Sequence, residues 1–183
     1  MSSAASVDTC FIIDWAHYRR AELLERIFDS ILLTEHVLRE VKSERTITLI
    51  TGWLSKGKAY IVPITPSIEK FARELISYAI HEPRIPRVDE PEIYGLAIAR
   101  EYKVPLLTEN KGAIRLASYH QELKGIKVMR AIEVLSKLIE DGVINAKNKK
   151  EIEDVFVEYA KDTHHYFPEE DLFRTIEKLL SKR

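Results

Sequence analysis

The stretch Val88–Asn110, VDEPEIYGLAIAREYKVPLLTEN, decides how this chain reads. It opens with Asp89, Glu90 and Glu92 grouped around Pro91, a residue suited to a helix start because its missing N–H would find no partner there anyway. Ile93, Leu96, Ala97 and Tyr102 then recur at helical spacing. After a tight turn, Val104–Thr108 is a continuous apolar run, the mark of a strand buried on both faces, as in a parallel sheet. That strand ends on Thr108, Glu109 and Asn110. Carboxylates at a helix start, next to a strand that ends in oxygen ligands, suggest a site for a hard cation.

On either side the chain repeats the strand-then-helix pattern. Ala4–Val7 is a short, weakly apolar candidate for a first strand and ends on Asp8 and Thr9. Phe11, Trp15, Tyr18 and Leu23/Leu24 follow at helical spacing, and Ile31–Leu33 reads as a second buried strand. Thr34 can cap the next helix, whose apolar side of Val37, Leu38 and Val41 leaves Glu40 beside the core face. Ile47–Leu54 is again helical and Gly57 ends it; Tyr60–Ile64 is a strand by its β-branched content. Thr65-Pro66 starts a long helix striped by Ile68, Phe71, Ala72, Leu75 and Ala79, and proline-rich Pro83–Pro91 is a loop. Beyond the opening stretch, a helix is expected over Lys111–Leu123, a strand over Ile126–Met129 and a helix from Ala131 to Ile139. Alternation of this kind implies βαβ units, hence an α/β fold: a doubly wound parallel sheet flanked by helices. After Ile144 comes a polar, basic connector, Asn145–Lys150, and then two amphipathic helices. One carries Ile152, Val155, Phe156 and Tyr159. The other carries Leu172, Phe173, Ile176, Leu179 and Leu180, from Glu169–Asp171 to Lys182-Arg183, a charge order that suits the helix dipole. The expected division is a domain over residues 1–145 and a helical extension over 146–183, which folds back on the sheet or docks a second chain.

Bulk properties remove several classes. At 183 residues the chain can bury one good core, and its net charge of −1 gives no global field for nucleic acid or anionic membrane. The lone Cys10 excludes an intrachain disulfide and reads as a small buried apolar side chain. No apolar run approaches the roughly 20 residues of a bilayer span, and MSSAAS lacks the regions of a signal peptide, so a cytoplasmic protein is expected. There is no GxGxxG or P-loop motif and no persuasive Ser/His/Asp order. Adjacent His164 and His165 diverge on a helix and lack a third partner, so both read as surface or interface residues.

In an open parallel α/β sheet, functional groups collect beyond the carboxyl ends of the strands. There this sequence offers Asp8 and Thr9 after the first strand, Glu40 after the second, Glu92 at the opening helix, and Glu109 and Asn110 after its strand. Any one of these is as readily a cap or a surface charge in a chain that is 31% charged. Asp89 and Glu90 read as solvated neighbours of Glu92, and Asp14 as a residue behind or outside the site. Jointly, the acids form the kind of cage that holds one or two Mg²⁺ or Mn²⁺ ions around a phosphodiester. Arg84, Arg87, Lys111 and Arg115 flank this edge, either as phosphate ligands or as a solvated rim.

Four segments in order, VDTCFIID (7–14), LLTEHVLREV (32–41), PEIYGLAIAREYKVPLLTEN (91–110) and GIKVMRAIEVLSKLIEDGVI (125–144), resemble the PIN-domain ribonucleases, especially the prokaryotic VapC-like toxins. The resemblance implies a metal-dependent endoribonuclease. Its catalytic acids would fall on Asp8, Glu40 and Glu92, with the fourth position on Asn110, neutral where a carboxylate would add charge. Metal would rest on Asp8, Glu40, Glu92 and Glu109, and RNA on Thr9, Thr108, Lys111 and Arg115. It further implies a homodimer and control by a small antitoxin protein. Two other readings stay open: a catalytically silent PIN-like module that binds RNA or protein, and a structure-specific 5′-nuclease on DNA.

Overall fold

In the computed structural model residues 3–182 are described; Met1 and Ser2 of the MSSAAS segment, and Arg183 beyond the last helix, lie outside them. Five strands, β1 (Ala4–Val7), β2 (Ser30–Leu33), β3 (Ala59–Ile61), β4 (Leu106–Leu107) and β5 (Val128–Met129), form one all-parallel sheet in the order β3-β2-β1-β4-β5. The helices that alternate with them are α1 (Thr9–His17), α2 (Leu24–Ile27), α3 (Glu35–Glu40), α4 (Glu44–Ser55), α5 (Pro66–His81), α6 (Glu90–Tyr102), α7 (Lys111–Tyr119) and α8 (Ala131–Glu140). Two more, α9 (Lys149–Thr163) and α10 (Glu169–Ser181), close the chain. This is the doubly wound α/β sheet expected from the alternation. None of the described helices is long and apolar enough to cross a membrane.

The period-2 geometry of strands sorts side chains to two cores. Ala5 and Val7 of β1, Ile31 and Leu33 of β2 and Leu107 of β4 face a cluster filled by α1, α4, α8, α9 and α10. Leu32 and Leu106 face the other, filled by α5, α6 and α7. The weakly apolar β1 is the central strand because small Ala5 and Ser6, both fully buried, let helices approach on either side. On the second face α6 comes so near that a Cβ on Gly95 would lie 2.9 Å from Leu106 Cδ1. That approach explains a glycine in mid-helix despite its unfavourable propensity.

Several boundaries differ from the sequence reading, for identifiable reasons. The first helix ends at His17, and Tyr18 leaves it with extended dihedrals. There the Trp15 indole donates to the Ala21 carbonyl at 2.8 Å and the Tyr18 hydroxyl to Glu158 at 3.0 Å, partners no local pattern contains. A 3-10 turn (Ala21–Leu23) and the short α2 follow. Strand β3 begins one residue early and stops at Ile61. Only Leu106 and Leu107 count as β4, although Ser6 N–H still donates to Pro105 O at 2.9 Å and Thr108 N–H to Met129 O at 3.0 Å. Helix α7 stops at Tyr119 and continues as a 3-10 turn, Gln121–Leu123.

The tail folds back. Ile152, Val155, Phe156 and Tyr159 of α9, with Ile176 and Leu179 of α10, belong to the same core cluster as β1 and α1. Trp15, Tyr18, Tyr159, Phe156 and Phe167 form a chain of ring contacts with centroids 5.1–5.8 Å apart. Arg19 clamps Asp162 and Arg20 pairs with Glu158 at its rim. Phe173, expected on the apolar stripe, is exposed instead.

Candidate active site

The strand order reverses between β1 and β4, and that junction is where an open α/β sheet leaves a crevice beyond its carboxyl ends. The register Val7↔Leu107 brings the next residue of each strand, Asp8 and Thr108, side by side. Asp8 is fully buried. It caps α1, accepting from Phe11 N–H at 2.7 Å through Oδ1, and accepts a short hydrogen bond from the Thr108 hydroxyl through Oδ2. Burial pushes its carboxyl up to about 7; the two hydrogen bonds oppose this, and the charges of Glu92 and Glu109 add to it. A carboxylate held dry, oriented and near other carboxylates is poised for a cation.

Glu92 is 4% exposed on the first turn of α6. Its Oε2 accepts from Asp89 N–H at 3.1 Å, one half of a capping box, and Oε1 faces the Asn110 amide at 3.3 Å. Burial raises its carboxyl above the usual range, and the charges of Asp89 and Glu40 add to that rise. Asn110 caps α7, its Oδ1 accepting from Ala113 N–H at 2.9 Å. The neutral amide thus does two jobs at this position: it starts a helix and steadies Glu92. Glu40 ends α3 exposed, within electrostatic reach of both Glu92 and Cys10. These residues share the edge that their sequence positions suggested.

Other expected residues are placed differently. Thr108 is fully buried and its oxygen also accepts from Asn110 N–H at 3.0 Å, so it positions Asp8 and offers nothing to a substrate. Thr9 is 4% exposed, with a hydroxyl that has no hydrogen-bond partner among the described residues. Glu109 Oε1 accepts from Ala131 N–H at 2.6 Å, a cap for α8, while Oε2 lies 3.7 Å from His165 Nε2. Arg115 donates to the Arg84 carbonyl at 2.8 Å and so braces the Pro83–Pro91 loop. Arg84 and Arg87 are paired with Glu82 and Asp89. Lys111 is exposed and lines a cavity together with Glu109 and His165. Asp89 and Glu90 are exposed, as expected of solvated neighbours.

Two readings are corrected. Cys10 is exposed, not buried, because Phe11, Ile12, Trp15 and Ala16 take the core face of α1. Burial of part of its surface, with the charges of Asp8, Glu92, Asp14 and Glu40, pushes its thiol up to about 11. His165 is no ordinary surface residue either. The turn after α9 inserts it between Asp14 Oδ2 at 3.6 Å and Glu109 at 3.7 Å, which raises its pKa despite burial. No sequence signal pointed to this, since the tail's docking site is non-local.

Among the described residues no group of three or more His, Cys, Asp or Glu side chains closes into a ready ligand set. By chemistry the edge nevertheless fits a hard dication. Asp8, Glu92 and Glu40 present only carboxylate oxygens; burial first, and then the charges of neighbouring acids, raise the carboxyls of Asp8 and Glu92, and a cation would offset both.

The fold is a doubly wound parallel α/β domain with buried carboxylates at its switch point, the edge where such sheets place their functional groups. A family model described as a PIN domain matches residues 5–170, and the chain belongs to the PIN-domain family. PIN domains are typically nucleases, and PIN nucleases generally use divalent metals. No curated protein matched the sequence.

Proposed function

We propose that this protein is a metal-dependent endoribonuclease with Asp8, Glu92 and Glu40 as the ligands of Mg²⁺ or Mn²⁺. The observation that carries this reading is Asp8: a carboxylate fully buried at the switch point, fixed by two hydrogen bonds and crowded by other acids. Asp8 also caps α1, but a carboxyl in a cleft whose pKa is raised by burial and neighbouring acids is the kind of group that functional sites assemble. A divalent cation held there supplies Lewis-acid chemistry, lowering the pKa of a water nucleophile and offsetting charge on the phosphodiester.

The chain's own residues do the rest. Thr108 and Phe11 N–H hold the Asp8 carboxylate in one orientation, and Asn110 with Asp89 N–H does the same for Glu92. Glu109, whose Oε1 caps α8 and whose Oε2 lies 3.7 Å from His165, is a further carboxylate at this edge. The Lys111 ammonium, one residue beyond Asn110 and exposed, draws RNA phosphates to the edge. The VapC-like resemblance extends the proposal to a toxin that forms a homodimer and is restrained by a small antitoxin protein in the cytoplasm.

Incubating the protein and Mg²⁺ with single-stranded RNA and flapped DNA side by side tests it. Cleavage of RNA, abolished by EDTA, is the expected result. Cleavage of the flap alone moves the protein to the 5′-nucleases, and cleavage of neither supports the silent binding module.

A further inference from the structure

Between α7, α8 and the turn that joins α9 to α10 lies a cavity of about 270 Å³, and Glu109, Lys111, Ile114, His165, Tyr166 and Phe167 line it. The turn is built for display. His164 takes left-handed dihedrals, and His165 N–H donates to the Thr163 hydroxyl at 3.1 Å. His165 and Phe167 then point inward: their rings lie 4.6 Å apart, and Phe167 packs on Phe156 and Tyr159. In an extended segment the residue between two inward side chains must face outward. Tyr166 is that residue, and it is 75% exposed.

A single exposed aromatic ring is ordinary on a protein surface; what sets Tyr166 apart is the cavity beside it and the charges that line that cavity. Lys111, on the opposite wall, makes no ion pair among the described residues, whereas Arg130 beside it is neutralised by Glu133 and Asp171. A lysine in the first turn of a helix also opposes the helix dipole, a placement that an anion would reverse. One free cation and one unstacked aromatic ring flanking a cavity match a nucleotide: phosphate to the ammonium, base to the ring. Lys111 follows Asn110, whose amide faces Glu92, so the cavity adjoins the acidic edge.

We propose that this cavity is a subsite for one unpaired nucleotide of single-stranded RNA, with Tyr166 as the stacking platform for its base and Lys111 as the ligand of its phosphate. The subsite rests on the nuclease reading and deepens it. It gives the C-terminal helices a role in selecting unpaired substrate, because a base inside a duplex cannot be splayed onto Tyr166.

The test is the anisotropy of a labelled single-stranded RNA oligomer with the full chain, in Ca²⁺ to suppress turnover. Because the base loses its stacking platform, Tyr166→Ala should weaken binding about tenfold. Tyr166→Phe should stay within about twofold of wild type, and duplex RNA should bind both variants as it binds wild type. Wild-type binding that survives Tyr166→Ala overturns the subsite and leaves the nuclease reading standing. Equal losses for single-stranded and duplex RNA also overturn it. Tighter binding of single-stranded DNA than RNA overturns the assignment to RNA. Failure of the wild type to bind RNA at all removes the nuclease reading and the subsite with it.

Discussion

Replacing Asp8 by asparagine should make the metal-free protein more stable at neutral and alkaline pH. Asp8 is fully buried, and its carboxyl rises from 3.8 to about 7 chiefly through loss of hydration. The folded protein therefore holds this proton more tightly than the unfolded chain. Between roughly pH 4 and pH 7 the folded state binds the extra proton, so stability falls as pH rises through that window and the loss is complete above it. At about 1.4 kcal/mol per unit, the whole effect is at most roughly 4 kcal/mol, of which about 2–3 kcal/mol develops between pH 5 and pH 8. Asparagine is nearly isosteric, keeps an acceptor for Phe11 N–H and carries no charge to bury, but its amide nitrogen cannot accept from the Thr108 hydroxyl, a loss that is the same at both pH values. Urea titrations in EDTA at the two pH values, read as shifts in midpoint at constant slope, measure the difference. The variant's advantage should widen by about 2–3 kcal/mol from pH 5 to pH 8. Mg²⁺ should then stabilise the wild type alone, by about 2.7 kcal/mol at a hundred times its dissociation constant. A gap independent of pH would show that Asp8 does not bear a buried charge.

Two further perturbations probe the scaffold and the edge. Gly95→Ala places a methyl 2.9 Å from Leu106 Cδ1, so thermal melts should show a loss of about 1–3 kcal/mol in spite of alanine's better helix propensity; an unchanged melting temperature contradicts the close approach of α6 to β4. Cys10, with its thiol pushed up to about 11 by partial burial and then by the acids around it, should react with iodoacetamide at pH 8 at least about tenfold more slowly than a free thiol, and somewhat faster in Asp8→Asn; ordinary reactivity means that neither burial nor the acids suppress its thiolate.

How much of this was legible in the sequence follows from the range of each interaction. The capping signals of Thr34 and Thr65 and the stripe of α5 are local, and each folded as read. The acids Asp8 and Glu92 could be placed because strand ends and helix starts fix them, and the parallel topology then fixes which edge they share. The same logic could not say what else those groups touch. Thr108 looked like a substrate ligand until the β1–β4 register turned its hydroxyl onto Asp8, and Arg115, which stays exposed, also donates to the Arg84 carbonyl. Tyr18 broke the first helix for a partner 140 residues away. His165 and Tyr166 reach the site only because α9 docks on α1 through a ring cluster, a contact that no spacing records. Pattern reading located the strand ends; it had no access to long-range side-chain partners.

The most direct test of the carboxylate–metal account is the rate of single-stranded RNA cleavage at saturating Mg²⁺ by wild type, Asp8→Asn and Glu92→Gln, each shown by circular dichroism to be folded. Because removing even an indirect support of a metal site costs about 10- to 100-fold, loss of a ligand should lower the rate by a hundredfold or more in both variants, and EDTA should abolish wild-type cleavage. RNA cleavage that persists in EDTA, or that both variants retain in full, contradicts the account.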